Sequence, residues 1–499
     1  MADLYALAVE AMQDPAINYP PQPQSWTFQS YIHDVPSNPF DPANSGSITT
    51  QKDFEARVNQ IYGNPAAGTP QANWKQAALA CWATCEHSSA YFTVWHRWYL
   101  YLFERICRRM CNDGSFMLPY WNYAFDNGPS LQLPAKFRNP AASPSGQRQQ
   151  PSRLVFHDRG LGYDNPGGRG ARNTAMNDGG YMPYPDIAYG HAFETNVMFP
   201  ADISSVDPSD PAYMKLGFTG RLEIVPHDMV HDSIGGWMAN PSAAAGDPIF
   251  YVHHCQIDRL IASWEAQKGV SYNWGNDAGS PPQQTWANRT AAFVDENGKL
   301  GSAKLASATS IDAFGYGYDN LVNRQRIAVA TRSLPILSGA KPVDLVAMRA
   351  DGFNVGAGGS TVALAPQPGA TAAAIAHSRP AILALEGIKL LQRPPAPLSV
   401  FINLPKGTAP ELNSPYYVGK LNLFKFNLGT GGLLMHHNAT RGMAMGRPDA
   451  RFDVTDVLLS QHATGLWDGG AVTITISTIG ADSPGDATYL TVASATLTP

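Results

Sequence analysis

Two histidines four residues apart constrain the chain more than any other feature: His227 and His231, in Pro226-His227-Asp228-Met229-Val230-His231. On a helix, positions i and i+4 share a face about 6 Å apart, so both imidazoles can meet one ion. Two imidazoles hold a metal loosely. The pair His253-His254, reached through Gly235-Gly236-Trp237-Met238 and Asp247-Pro248-Ile249-Phe250-Tyr251-Val252, is the source of a third ligand, and Cys255-Gln256-Ile257-Asp258-Arg259 follows it.

The pattern recurs upstream in Cys85-Glu86-His87 and Phe92-Thr93-Val94-Trp95-His96-Arg97-Trp98-Tyr99-Leu100. Aligning Phe92-x-x-Trp95-His96 with Phe250-x-x-His253-His254 sets His96 opposite His254, which favours His254 over His253 as ligand. The histidines of the first 150 residues are His33, His87 and His96, so a second three-histidine group there has no other members to draw on. His33, in Tyr31-Ile32-His33-Asp34-Val35-Pro36, has no near partner in sequence to set its direction.

A chain of 499 residues is long enough for two or three domains with a sizeable core. Charged residues make up 15% and the net charge is -5, so neither a basic nucleic-acid surface nor an acidic tail is expected. No apolar run approaches the roughly 18 residues of a membrane span, and the start lacks a basic segment followed by an apolar one. The expectation is a cytoplasmic protein without an export signal. Its five cysteines, Cys81, Cys85, Cys107, Cys111 and Cys255, are too clustered for a secreted disulfide framework.

Helical periodicity is read at Leu4 to Met12, Phe54 to Tyr62, Trp74 to Thr84, Trp95 to Met110 and residues 255 to 266. A four-helix bundle core carrying metal from facing helices is the economical arrangement, with residues 126 to 220 as long Gly- and Pro-rich loops around it. Beyond about residue 335 the pattern turns to β. Runs at Pro342 to Met348, Ala381 to Leu391, Leu398 to Leu404, Tyr416 to Phe426, Phe452 to Leu459 and Ala471 to Ile479 predict a sandwich or barrel, with Gly356 to Ala376 as a loop inserted in it. The expected fold is a mainly α catalytic domain over 1–335 and an all-β covering domain over 336–499.

These stretches resemble the copper-binding signatures of the type 3 copper proteins, the superfamily of tyrosinases, catechol oxidases and haemocyanins. The first resembles C-x-H followed by F-x-x-W-H-R-x-Y-L-x-x-F-E, here Cys85-Glu86-His87 and Phe92 through Glu104; the second resembles P-H-x-x-V-H, G-G-x-M and D-P-x-F-x-x-H-H-x-x-x-D-R. The resemblance covers about residues 25 to 320 and ends at Tyr316-Gly317-Tyr318, similar to the tyrosine motif that closes the family's catalytic domain. The tail from Leu383 to Ile479 is similar, more weakly, to the β-domain covering the active site in plant and some bacterial members. The resemblance implies one copper on His33, His87 and His96 and another on His227, His231 and His254. It implies a thioether between Cys85 and His87, and gives Glu223 the place of the glutamate that orients a water near the coppers. Asp228 stands where many tyrosinases carry Asn. Glu223, a water and Asp228 together could accept the phenol proton; Asp228 could equally bond its own helix backbone. The implied reaction uses O2 as co-substrate to hydroxylate small monophenols to o-diphenols and to oxidise these to o-quinones.

All-imidazole ligation also suits copper on chemical grounds, and two coppers can share one O2. A haemocyanin-like carrier would use the same six histidines without turnover, a catechol oxidase would lack the hydroxylation step, and a dinuclear zinc hydrolase would need a bridging carboxylate that neither motif offers. Trp95, Phe92, Trp98 and Phe250 are read as core supports, Arg97 and Asp258 as ionic anchors, His253 as a neighbour of the ligands, and Cys107 and Cys111 as buried thiols on one helix face. His157, His191, His377 and His462 are read as structural. Met435-His436-His437, with Met443 and Met445, reads first as a loop packing over the bundle with Leu433 or Leu434 at its mouth, and second as a copper-transfer station.

Overall fold

A computed structural model describes residues 1–42, 45–87, 91–123, 133–138, 153–154, 156, 197–198, 222–266, 271–272, 288–321, 342–376, 381–394, 398–411, 414–424, 426, 449–479 and 486–499. Described residues up to 321 fall in one compact unit and those from 342 onward in a second. Nearly all of 126–220 lies outside these residues, as do His157, His191, His377 and the segment from Leu433 to Met445.

The first unit is helical, and its helices start where the sequence supplies acceptors. The side chains of Ser25, Thr50 and Thr69 accept from the backbone N–H groups of Phe28, Asp53 and Ala72, heading the helices Trp26–His33, Gln51–Tyr62 and Pro70–Cys81. Trp26–His33 buries the polar Gln29, Ser30 and His33 along with Trp26, Phe28 and Ile32, so polarity does not mark its buried face in the sequence. The long helices Phe92–Met110 and Ile249–Glu265 pack together through the rings of Phe103 and Tyr251, stacked at 3.6 Å. The helix Ala2–Met12 closes on them, with Tyr5 donating to the carbonyl of Pro248 at 2.9 Å. Ile249–Glu265 begins six residues ahead of the expected 255, so His253 and His254 are both helical; the Asp247 carboxylate accepts from Ile249 N–H at its head. Cys107 is buried on Phe92–Met110, whereas Cys111, just past its end, is half-exposed, a correction to the expected pair of buried thiols.

The second unit is strand-rich. One antiparallel sheet runs in the order Tyr417–Leu421, Leu398–Ile402, Val472–Thr478, Ser360–Pro366, Met348–Gly356, Thr488–Thr498, Ile382–Glu386, Asp449–Asp453. Met348–Gly356 and Ser360–Pro366 pair only at Met348 with Pro366 and Arg349 with Ala365, so the sheet bends there. Its two halves share one core that includes Val355, Leu364, Leu385, Val400, Ile474 and Leu497.

Two expectations fail in this unit. Gly356 to Ala376 is not a loop: it holds the strands Ser360–Pro366 and Ala373–Ile375. Ser360–Pro366 pairs with Val472–Thr478, and the Thr361 and Thr475 hydroxyls meet at 2.9 Å, a cross-strand fit that composition does not register. Nor is Phe452 to Leu459 one strand. The chain leaves the sheet at Asp453 and winds into the helix Thr455–Ala463, burying Val457, Leu458 and Leu459, so the unit is not all-β. A short apolar run fits either element, and here packing against the sheet decides. Among the described residues no helix is long and apolar enough to cross a membrane.

Candidate metal centre

Donor atoms of His33, Cys85, His87 and His96 lie within 4.8 Å of one another, and so do those of His227, His231 and His253. The groups adjoin: His96 stacks on His254 with centroids 4.5 Å apart, and the rings of His87 and His227 are 5.6 Å apart. His33 ends the helix Trp26–His33, His96 lies in Phe92–Met110, His231 in Met229–Ile234 and His254 in Ile249–Glu265. His87 alone of the six sits in a stretch without regular structure.

Backbone carbonyls orient three of these rings. The Nδ1–H of His33 donates to Pro241 at 2.9 Å, that of His96 to Phe92 at 2.7 Å, and that of His231 to Met238 at 2.8 Å. Each bond leaves Nε2 with its lone pair, the atom a metal takes. Asn240 holds the Pro241 turn in place: its Nδ2 donates to Pro42 and Ser45, and its Oδ1 caps Pro241–Ala244 through Ser242. The Asn-Pro pair is a turn signal that could have pointed to this support.

His227 is held differently. It lies in the π-helical turn Glu223–Asp228, with Pro226 inside, which gives way to the α-helix Met229–Ile234. Proline lacks the N–H that a regular turn would use, and such wide turns concentrate at functional sites. The pair does not lie in one regular helix as the spacing predicts; the rings of His227 and His231 still come within 4.7 Å. Nδ1 of His227 meets the carboxylate of Asp228 at 2.7 Å and the carbonyl of Glu223 at 3.3 Å. Asp228 therefore holds its neighbouring imidazole rather than only its own helix backbone. Glu223 and Asp228 are both buried, each 1% exposed.

The two adjacent histidines divide by the direction of their nitrogens. Mutual distance groups His253 with His227 and His231. However, Nε2 of His253 lies 3.3 Å from the carbonyl of His227, where its N–H is used up. Nε2 of His254 instead lies 3.4 Å from Nε2 of His231, so both nitrogens turn to the same place. Donor direction therefore favours His254. Burial, reinforced by neighbouring imidazoles, holds His231 and His254 well below the usual histidine range and brings His253 down to about 3. Neutral imidazole is the form that ligates metal. Nδ1 of His253 and Nδ1 of His254 are both buried without a hydrogen-bond partner, so the two rings differ at Nε2 alone.

Cys85 Sγ lies 3.5 Å from Nδ1 and 4.0 Å from Nε2 of His87, and 3.3 Å from Nε2 of His96, between the two rings. Burial pushes its thiol well up, so it is no free thiolate. Beneath the histidines, Arg97 donates to Asp258 at 2.7 Å and to Glu265 at 2.8 Å, while the Tyr316 and Tyr318 hydroxyls donate to the other Asp258 oxygen at 2.5 and 2.6 Å. This clasp joins the two long helices and the segment that follows them. Trp95, Phe92 and Phe250 are buried against the imidazoles as expected, and Trp98 is half-buried.

A family model described as the common central domain of tyrosinase matches residues 23–267, the span that carries all of these donors. Residues 23–267 belong to the tyrosinase family. Tyrosinase HcTyr1 of Hahella sp. (strain CCB-MM4) is 28% identical to this tyrosinase-family chain over 443 residues, 84% of this chain and 82% of that one. Polyphenol oxidase A1, chloroplastic, of Vicia faba is 30% identical over 250 residues, 47% of this chain but 37% of its own length. The solved structure of a latent aurone synthase (polyphenol oxidase) from natural source shares the fold, with a TM-score of 0.50 at 19% identity, covering 100% of this chain and 86% of that one. Family membership makes the chain an oxidoreductase of the copper phenol oxidase kind, and its two adjoining imidazole groups fit a pair of coppers.

Proposed function

We propose that this tyrosinase-family chain uses O2 to hydroxylate small monophenols to o-diphenols and to oxidise o-diphenols to o-quinones. The observation that carries the reading is the meeting of two imidazole groups in one buried place, with His96 stacked on His254 and the Nε2 atoms of His231 and His254 at 3.4 Å. His33, His87 and His96 would hold one copper, and His227, His231 and His254 the other. When bound, the two coppers supply the activation and two-electron reduction of O2. The protein's part is to hold neutral imidazoles in place, exclude water and manage the phenol proton.

Backbone carbonyls keep the Nε2 atoms of His33, His96 and His231 turned inward, and Asp228 does so for His227. A carboxylate behind an imidazole raises its basicity, which suits a site that must stay loaded through turnover. Cys85, with its Sγ 3.5 Å from the His87 ring, is close enough for a thioether that would remove that ring's mobility. Glu223, buried one turn before His227, is the group we assign to the phenol proton, with Asp228 supporting it through His227. The commitment of Asp228 to His227 favours one alternative, a catechol oxidase in which hydroxylation is slow. Neither donor group includes a carboxylate, which weighs against a zinc hydrolase.

Copper analysis, an optical spectrum after peroxide and oxygen uptake on tyrosine-like and catechol substrates test the proposal together. Two coppers per chain with uptake on a monophenol would establish it. Uptake on catechol alone would leave a catechol oxidase, a peroxide band without uptake a carrier, and absence of copper binding would end the six-histidine reading.

A further inference from the structure

Five of the six imidazoles are placed by helical backbone, and His87 is not. A ligand on irregular chain needs its direction supplied from elsewhere. The residue before it, Glu86, is 5% exposed, and Nη2 of Arg289 donates to its carboxylate at 2.7 Å. The Arg289 guanidinium also lies over the ring of Tyr91, 5.6 Å from its centroid, where the helix Phe92–Met110 begins. We propose that Arg289 is a positioning residue for His87, acting through Glu86; the inference rests on reading His87 as a metal ligand.

Arg289 is itself held firmly. It opens the hairpin of Thr290–Val294 and Leu300–Lys304, and its carbonyl accepts from Leu305 N–H at 3.0 Å to close the base. The hairpin and the turn after it lie along Phe92–Met110 and are fastened to it repeatedly. Phe293 packs on Trp95 at 5.4 Å, Trp98 donates to the carbonyl of Lys304 at 3.2 Å, Arg97 donates to the carbonyl of Ala308 at 2.8 Å, and Arg105 pairs with Glu296 at 2.5 Å. The helix that carries His96 therefore also braces the hairpin, and the hairpin hands Arg289 back to the loop that carries Cys85 and His87. Through this route His87 is registered against His96, nine residues further along the chain. Arginine is suited to this position because its planar fork grips a carboxylate and stacks on an aromatic ring together, which a lysine cannot do.

The test uses full-length Arg289→Ala, Arg289→Lys and Glu86→Gln proteins. Hydrogen exchange is followed in the metal-free state on peptides covering 82–91, with 249–265 as control, and copper affinity is then titrated at each site. Loss of a partner behind a ligand typically weakens metal binding about tenfold or more, so Arg289→Ala should weaken one of the two coppers by at least about tenfold and speed exchange in 82–91 with the control unmoved. Arg289→Lys should recover part of both effects. Unchanged exchange in 82–91 for Arg289→Ala would overturn the proposal, as would equal weakening of both coppers. Should Arg289→Ala fail to fold, Glu86→Gln, which keeps the shape and weakens the ion pair, carries the same readouts. Faster exchange in 82–91 on a protein that binds no copper in its unaltered form would leave the Arg289–Glu86 tie supported and overturn the metal reading of His87, which separates the two.

Discussion

His96 and His254 lie face to face, ring centroids 4.5 Å apart and planes 8° from parallel, although they come from opposite halves of the helical unit. His96 is the fifth residue of its long helix and His254 the sixth of its own, since Phe92 and Ile249 open those helices, and the packing of Phe103 on Tyr251 sets the helices side by side. The repeated half-site of the sequence thus becomes a pair of facing imidazoles, and the helix packing that aligns them is the main thing a variant can disturb.

His254→Asn should bind one copper per chain and His253→Asn should still bind two, because the Nε2–H of His253 is engaged with the carbonyl of His227. Metal analysis after dialysis reads the difference. A reversed pattern would assign the ligand to His253.

Asp228→Ala should weaken the copper held by His227 by about 10–100-fold, since it removes the carboxylate behind a ligating imidazole. Asp228→Asn keeps an oxygen acceptor for Nδ1–H and should lose less. Competition with a chelator of known affinity measures both. Equal losses would mean that charge, rather than orientation, is what Asp228 contributes.

The metal-free protein should gain stability as pH rises from about 4 to 6.5. His253 titrates near 3 in the folded chain and near 6.5 when unfolded, so between those values the unfolded chain holds the extra proton and acid favours it. His231 and His254 act in the same direction. Asp34 opposes them: burial raises it from 3.8 to about 7, so its contribution is present below 3.8 and is lost as pH rises through 7. Denaturant titrations across this range should show a slope reduced by up to about 1.4 kcal/mol per pH unit in His253→Asn and increased in Asp34→Asn. A slope that ignores both substitutions would contradict the assignment.

Asp258→Ala should destabilise the chain by about 3–5 kcal/mol, because Arg97, 1% exposed, would keep its charge with a main partner gone. Tyr316→Phe removes a single hydrogen bond to the same carboxylate and should cost about 1–3 kcal/mol. Chemical denaturation of the metal-free proteins orders the two. A Tyr316→Phe effect as large as that of Asp258→Ala would show that the clasp acts through the tyrosine rather than the ion pair.

Much of the site is legible in the linear chain because its chemistry is local. The alignment of His96 with His254 and the flanks Arg97 and Asp258 follow from short spacings on helices, and the pair His227 and His231 is legible from its spacing although a π-helical turn carries His227. The fold is legible where an element is long and one-sided, as in Phe92–Met110, and illegible where polar side chains are buried along with apolar ones, as in Trp26–His33, or where a short apolar run has two solutions, as at Thr455–Ala463. The central strand Thr488–Thr498 and the hairpin that begins at Thr290 carried no expectation, since their Thr- and Ala-rich pattern declares itself only beside its partners.

The sequence by itself determined the inventory of donors and their registers, because imidazoles, thiol and carboxylates are properties of residue type and helical spacing is a property of the backbone. Tertiary structure decided which nitrogen of each ring faces inward. That choice belongs to the carbonyls of Pro241 and Met238 and to the carboxylate of Asp228, and except for the last these acceptors are backbone atoms whose direction no side chain encodes. It also decided that His33 joins His87 and His96, and that Arg289 reaches Glu86. Contacts between residues so far apart along the chain arise only when helices and hairpin pack, since only packing brings their groups within bonding distance.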